Sequence, residues 1–453
     1  MLSVALSLRL DGLAPEAKYF FIRFVQTSYA MSSVPGGVKD MALRFGISDR
    51  IVSTSLNALE ACGTLKRIDL SAGPGKPARQ YQLSESIKTK LKGAGAVFHE
   101  KAIIRVLQHE KNKGSSSTLS QMKGLDDPTR LAALRSRKQT GRLSIVNRLL
   151  VAVLLCGADK FGVVSKLGSA SIRNATGLSQ ARLIQRIARL VSLGVLRAYV
   201  PGHTSSILLK KTKSIYFINL NHPELSNGVD VTAVVAIKPP FAMRDADFPL
   251  TGVHLRSIWL DIEQKAKYPK FCEYSSYEQA LIFLKNMPRT LFGFLQGILE
   301  QSAAFLLSKH WRDVVRDASG EQRHIEELCR RFEVEFRVLA YPAGERSDNN
   351  LSDIVIPVLA DMAFELAISL KKLLTDLSIP GLQFEDMAIV PQPFELGYES
   401  VVLLLQPRSD ASWRGCLVSY PFKDHIVTRT YTSEMVIAPG TPDINGLLPQ
   451  VIP

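Results

Sequence analysis

The sequence predicts an α+β protein: two similar N-terminal units, each a few helices backed by a β-ribbon, then a larger α+β domain. Three observations predict it. A pattern in the first half recurs 131 residues later, basic charge is concentrated in that same half, and the hydrophobic pattern changes beyond about residue 231. At 453 residues the chain is also too long for one ordinary core. The expected division is 1–111 for the first unit with a trailing helix, 112–142 for a basic linker, 143–228 for the second unit and 229–453 for the last domain.

In the first copy, Val38–Phe45 reads as a short helix, Gly46-Ile47-Ser48 as a tight turn, and the residues after Ser48 as a second helix. Ser48 suits the N-cap, where its hydroxyl accepts a backbone N–H that the first helical turn leaves unpaired. Val52, Leu56 and Leu59 fall on one face at spacings of four and three, so that face is expected inside. Gly63 supplies the left-handed residue that ends helices, and Leu65 and Ile68 open a strand. The Gly/Pro-rich stretch Ser71–Arg79 is a turn, and Gln80–Leu83 is the returning strand.

A shift of 131 residues, without a gap, sets Gly177, Leu178 and Ser179 on Gly46, Ile47 and Ser48. It sets Leu183, Ile187 and Leu190 on Val52, Leu56 and Leu59, Gly194 on Gly63, and Leu196 on Leu65. Tyr19–Val25 falls on Leu150–Cys156. The second ribbon turns at Pro201–Ser206 and ends in Ile215–Ile218. Few residues are identical, yet every structural role stays in register, as an internal repeat requires. Between the copies, helices are expected at His99–Glu110 and from Pro128 to about Gln139, with a break at Lys111–Ser117. Arg135, Arg137, Lys138, Arg142 and Arg148 crowd the approach to the second copy, either tracking a polyanion or keeping a linker soluble.

Each unit resembles the winged helix-turn-helix domains of bacterial regulators, of the MarR-like and GntR-like kinds and, in tandem, of plasmid replication initiators. The resemblance spans roughly residues 14–92 and 143–221. It implies a second helix that enters the major groove of duplex DNA and ribbons, or wings, that touch phosphate. The positions expected to face outward are Asp49, Arg50, Ser53, Thr54 and Asn57 in copy one, and Gln180, Arg182, Gln185, Arg186 and Arg189 in copy two. Arg reads guanine and Gln or Asn reads adenine, each pairing discriminating by about 1–3 kcal/mol. In copy two three arginines share a face with no acid to neutralise them, whereas copy one carries Asp49 and small hydroxyls. Lys76 and Arg79 flank the first wing tip; Lys210, Lys211 and Lys213 follow the second.

Charge agrees with this reading. Residues 1–230 hold 34 Lys+Arg against 14 Asp+Glu, and residues 231–453 hold 22 against 28. That asymmetry points to a polyanion for the first half. The most apolar stretches, Leu149–Cys156, Leu291–Leu307 and Val355–Leu374, are too short to span a bilayer or are broken by Gln296, Glu300, Gln301, Asp361 and Glu365. No membrane partner is expected, and Met1–Leu13 lacks the features of a signal peptide. Five scattered cysteines without a Cys-x-x-Cys pair fit a reducing compartment, so the expected location is cytoplasmic and nucleoid-associated.

In the second half, Leu291–Leu306 and Val355–Leu377 show helical apolar stripes. Strands are expected at Glu333–Leu339, Val401–Leu405, Cys416–Tyr420 and Ile426–Thr432. No phosphate-binding loop, nucleophile elbow or His-Glu-x-x-His motif is present. Asp361 and Glu365, one helical turn apart, suit a solvated face better than a metal, and His310-Trp311 reads as a helix end with a packed aromatic. No catalytic residue, cofactor or metal is expected.

The functional expectation is sequence-specific binding of double-stranded DNA by a transcription regulator, not an enzyme. A replication or partition initiator of a plasmid or mobile element is the alternative, and a nucleic-acid-processing enzyme with its site in the last domain is a third. Homodimerisation is expected, if anywhere, through residues 229–453, although two units in one chain already suffice for successive half-sites.

Overall fold

The computed structural model describes residues 1–28, 34–35, 37–70, 78–93, 97–108, 143–202, 212–226, 232–237, 254–267, 275–282, 289–336, 351–377, 384–391, 401–408, 415–422 and 425–431. Helix and strand are mixed, as expected for an α+β chain. Two compact units are present, Met1–Val195 and Leu196–Pro453.

The first unit runs α1 (Leu2–Ser7), α2 (Pro15–Ser28), β1 (Val34–Pro35), α3 (Val38–Phe45), α4 (Asp49–Ala61), β2 (Leu65–Leu70), β3 (Ala78–Leu83), α5 (Glu85–Leu91) and α6 (Glu100–Leu107). It continues with α7 (Ile145–Cys156), β4 (Val163–Val164), α8 (Ser169–Thr176) and α9 (Gln180–Ser192). Helices α3 and α8 match end for end at the 131-residue offset, and so do α4 and α9. The glycines that close them are all left-handed, with φ of 67° at Gly46, 73° at Gly177, 68° at Gly63 and 71° at Gly194. Strands β2 and β3 pair antiparallel from Leu65↔Leu83 to Leu70↔Ala78, with β1 on the far side of β3.

Aromatic burial builds the core of the first copy. Tyr19, Phe20, Phe21 and Phe24 of α2 are fully buried, and Phe20 meets Phe45 of α3 edge-on at 5.4 Å. In α7 every residue from Val146 to Leu155 is buried, because α1, α2, α6 and α8 all pack against it. A helix enclosed on all sides has no polar face to keep, which is why its sequence is nearly continuous hydrocarbon. The equivalent first helices of the two copies, α2 and α7, therefore pack on each other.

Polar groups stitch this core. The Tyr19 hydroxyl donates to the Leu107 carbonyl at 2.7 Å. Arg148 donates from Nε to Leu143 O and from Nη1 to Val106 O, both at 2.9 Å. Arg148 thus belongs neither to a polyanion track nor to a solvated linker: it is 4% exposed and satisfies one carbonyl that the end of α6 leaves open, Val106 O, and one just before α7, Leu143 O. Lys18 of α2 is likewise buried, donates to the Asn174 carbonyl in α8, and has its pKa pulled down by desolvation. The helix expected at His99–Glu110 is described as α6, with His99 preceding it; Lys111–Ser117 and Pro128–Gln139 lie outside the described residues.

The second unit opens with β5 (Leu196–Val200) and β6 (Ile215–Ile218), which pair antiparallel and stack Tyr199 on Tyr216 at 5.2 Å. Then follow β7 (Ala233–Ile237), α10 (Leu255–Lys267), α11 (Ser276–Leu281), α12 (Arg289–His310), α13 (Ala318–Phe336) and α14 (Leu351–Asp376). β8 (Phe384–Val390), β9 (Val401–Pro407), β10 (Cys416–Phe422) and β11 (His425–Tyr431) complete a five-stranded sheet in the order β11-β10-β7-β9-β8. Strand β7 runs parallel to β10 and antiparallel to β9. Its five residues, Ala-Val-Val-Ala-Ile, are all buried, the pattern of a strand covered on both faces.

One strand expectation fails. Glu333–Phe336 is the end of helix α13, not the start of a strand. The alternation of Val334 and Phe336 suggests a strand, but His324, Leu328 and Phe332 are buried at spacings of four, and that helical face carries the chain through Glu333. Val334 is consequently 72% exposed.

Among the described residues, one helix is long and apolar enough to cross a membrane, Leu291–His310 within α12. It is 78% buried, packed against α14 and β8. Its polar interruptions work inside the fold: Gln296 Oε1 accepts the Leu255 N–H at the start of α10 (3.1 Å), and Gln296 Nε2 donates to Glu300 at 3.2 Å. Trp311, just past the end of α12, packs edge-on against Phe384 at 5.1 Å.

Candidate nucleic-acid interface

Two capped helices carry the residues expected to contact a ligand. The Ser48 hydroxyl accepts the Ile51 N–H, and the Ser179 hydroxyl accepts the Arg182 N–H, each at 3.4 Å. Val52, Leu56 and Leu59 of α4 are buried, as are Leu183, Ile187 and Leu190 of α9. Burying one stripe fixes which face turns outward.

In α4 that outward face holds Asp49, Arg50, Ser53, Thr54 and Asn57, all exposed. In α9, Gln180, Arg182, Gln185 and Arg189 are exposed and Arg186 is half-buried. The first turn of α9 has no acidic residue, whereas that of α4 begins with Asp49. The positive end of the α9 helix dipole is therefore left unneutralised by its own side chains, an arrangement that favours anions.

The arginines of α9 are not equivalent. Arg182 Nη2 lies 3.8 Å from Glu16 Oε1 of α2, so an acid does reach this face, contributed by the other copy. Arg186 turns back, with Nη1 3.5 Å from Ser144 Oγ and 3.4 Å from Asn147 Oδ1 at the start of α7. Arg189 donates to Ser192 Oγ at 3.4 Å. Arg173, in the last turn of α8, is a basic residue the sequence reading passed over; it is exposed and donates to Gln180 Oε1 at 3.4 Å. Its position in the repeat is Ala42 in copy one, so matching the copies gave no signal for it.

The ribbons differ more than the repeat suggests. In the first, Lys66, Arg67, Asp69 and Arg79 are exposed, and Asp69 sits 3.2 Å from Arg67 and 3.9 Å from Arg79. In the second, Ile215–Ile218 are all buried and Val200 lies against the open side of Gly297 in α12. Lys213 is exposed; Lys76, Lys210 and Lys211 lie outside the described residues.

In the second unit Asp361 and Glu365, one helical turn apart on α14, each engage a side chain from outside that helix. Asp361 Oδ2 accepts from the Tyr277 hydroxyl at 2.5 Å, and Glu365 pairs with Arg316. Burial, then the hydrogen bond to Asp361, pushes the Tyr277 phenol far above its usual range.

No protein-family model matches the chain, and no curated protein or solved structure matches it.

Proposed function

We propose that the chain is a sequence-specific double-stranded DNA-binding protein, a transcription regulator that reads its site with two winged-helix units. The observation that carries this reading is the outward face of α9. Gln180, Arg182, Gln185 and Arg189 are exposed on a helix whose start is capped by Ser179 and carries no acid of its own, Glu16 of α2 being the one acid beside Arg182 among the described residues. These side chains pair with guanine and adenine edges in a major groove, and the helix start favours phosphate. The matched helix α4 supports a second, less basic reader, so one chain fills two half-sites. The excess of basic residues in 1–230 supports a polyanion partner.

The test is selection of a binding site from random duplexes, followed by titration of the parent and of Arg182→Ala/Arg186→Ala/Arg189→Ala. The triple variant should keep its circular-dichroism spectrum and lose at least about 100-fold in affinity for the selected site, since each lost base pairing is worth about 1–3 kcal/mol. Parent-like affinity in the folded variant would remove α9 from the interface.

A further inference from the structure

We propose that His310, His324 and Glu327 form a binding site for a divalent transition-metal ion of the zinc class, joining the end of α12 to α13. One donor atom from each of the three lies within 4.8 Å of the other two. His310 is the last residue of α12; His324 and Glu327 stand three apart on α13, on one helical face. His310 Nε2 is 3.0 Å from Glu327 Oε2, and the His310 and His324 rings lie 4.9 Å apart, centroid to centroid.

An ordinary ion pair accounts for part of this cluster. Glu327 holds Lys309 through Oε1 at 2.6 Å and His310 through Oε2. It does not account for His324, which is 0% exposed and whose ring, among the described residues, meets one backbone partner, at Asp313, and no polar side chain within hydrogen-bond geometry. An imidazole has two ring nitrogens, so one backbone partner leaves the second buried and unsatisfied, which is costly. A metal ion relieves this by taking the lone pair of that nitrogen. The Asp313 backbone approaches the same ring, and a carbonyl beside the other nitrogen is the usual way a ligating histidine is oriented.

The donor set selects the metal class. Two imidazoles and one carboxylate suit zinc and its neighbours rather than calcium or magnesium, which prefer oxygen alone. Tetrahedral zinc with bonds of about 2.0–2.2 Å places neighbouring donors roughly 3.4 Å apart, so only small side-chain rotations separate this cluster from a bound site. Three protein ligands leave a fourth position for water. His310 and Glu327 are 17% and 24% exposed, so ion and water reach the cluster from solvent. Glu327 also lines an open cavity of about 330 Å³ with Phe305, Arg330 and Arg331.

The untagged full chain, stripped with chelator, should bind one equivalent of Zn²⁺ by calorimetry. With Co²⁺ it should develop the visible bands of a four-coordinate ion. Glu327→Gln and His310→Gln, both at partly exposed positions, should keep the fold and weaken Zn²⁺ binding by at least about 100-fold; His324→Phe should abolish it. Binding of less than one equivalent by the parent, or parent-like affinity in folded Glu327→Gln or His310→Gln, would overturn the site. If His324→Phe does not fold, those two variants decide.

Discussion

Ser48 and Ser179 perform the same task 131 residues apart: each hydroxyl accepts the backbone N–H three residues on, from Ile51 and from Arg182, at 3.4 Å. Each begins a helix of thirteen residues, ended by the backbone of a left-handed glycine two residues past its last turn. Ser48→Ala and Ser179→Ala should each destabilise the first unit by about 1 kcal/mol, and Asp at either position should restore most of it. Urea denaturation of the two single variants and the double checks this, with the double expected to be near the sum.

Gly177 and Gly63 share a backbone conformation but not an environment. Both have positive φ, so a side chain is strained at either. A Cβ on Gly63 meets open space, whereas one on Gly177 falls 2.5 Å from the Leu13 carbonyl oxygen. Gly63→Ala should therefore cost about 1 kcal/mol, from conformation alone, and Gly177→Ala clearly more, because backbone must shift. Equal denaturation midpoints for the two variants would contradict the close approach of the Leu13 segment to the second turn.

Glu16 tempers the face proposed to read DNA. Its carboxylate is 3.8 Å from Arg182, and both side chains are over a third exposed, so the pair contributes little to stability. Glu16→Gln should leave the melting temperature within a few degrees of the parent and tighten binding to the selected duplex several-fold at low salt. The gain should shrink as salt screens the lost repulsion between Glu16 and phosphate. Anisotropy titrations at graded salt read both effects; unchanged affinity at low salt would place Arg182 away from the duplex.

His254, 3% exposed beside α10, is held neutral: burial first, and Arg256 second, lower its pKa from 6.5 to about 3. The unfolded chain protonates this residue below about pH 6.5 while the folded one does not, so stability present above that pH is lost as pH falls toward 3. The loss is at most about 1.4 kcal/mol per pH unit from this group. His254→Gln should flatten the stability profile of the second unit between pH 6.5 and 3 relative to the parent. A parallel profile would show that His254 takes up its proton alike in the folded and unfolded chain, so that burial does not depress its pKa.

The first unit was largely legible because its signals are local. Serine caps, turn glycines and apolar residues at spacings of three and four depend on neighbours in the chain, so the second helix of each copy is legible to within a residue at either end, expected over Ser48–Cys62 and Ser179–Leu193 and found over Asp49–Ala61 and Gln180–Ser192. The α9 stripe also pointed to Arg182 and Arg189 as exposed, but not to Arg186, which is half-buried and turns back onto Ser144 and Asn147. In the second unit the same local logic misled at Glu333–Phe336, where alternation competed with a helical face that becomes visible only once Leu328 and Phe332 are known to be buried.

What the amino-acid order determined by itself was the repeat, the caps and turns within it and the excess of basic residues in the first half. Tertiary structure alone decided how Arg148 is spent, that Glu16 from one copy meets Arg182 of the other, and that His310, His324 and Glu327 converge. The reason is range. Capping and periodicity act over one helical turn, whereas a carboxylate and a guanidinium 166 residues apart, or an imidazole on one helix and two donors on the next, become neighbours only through packing that a linear pattern does not encode.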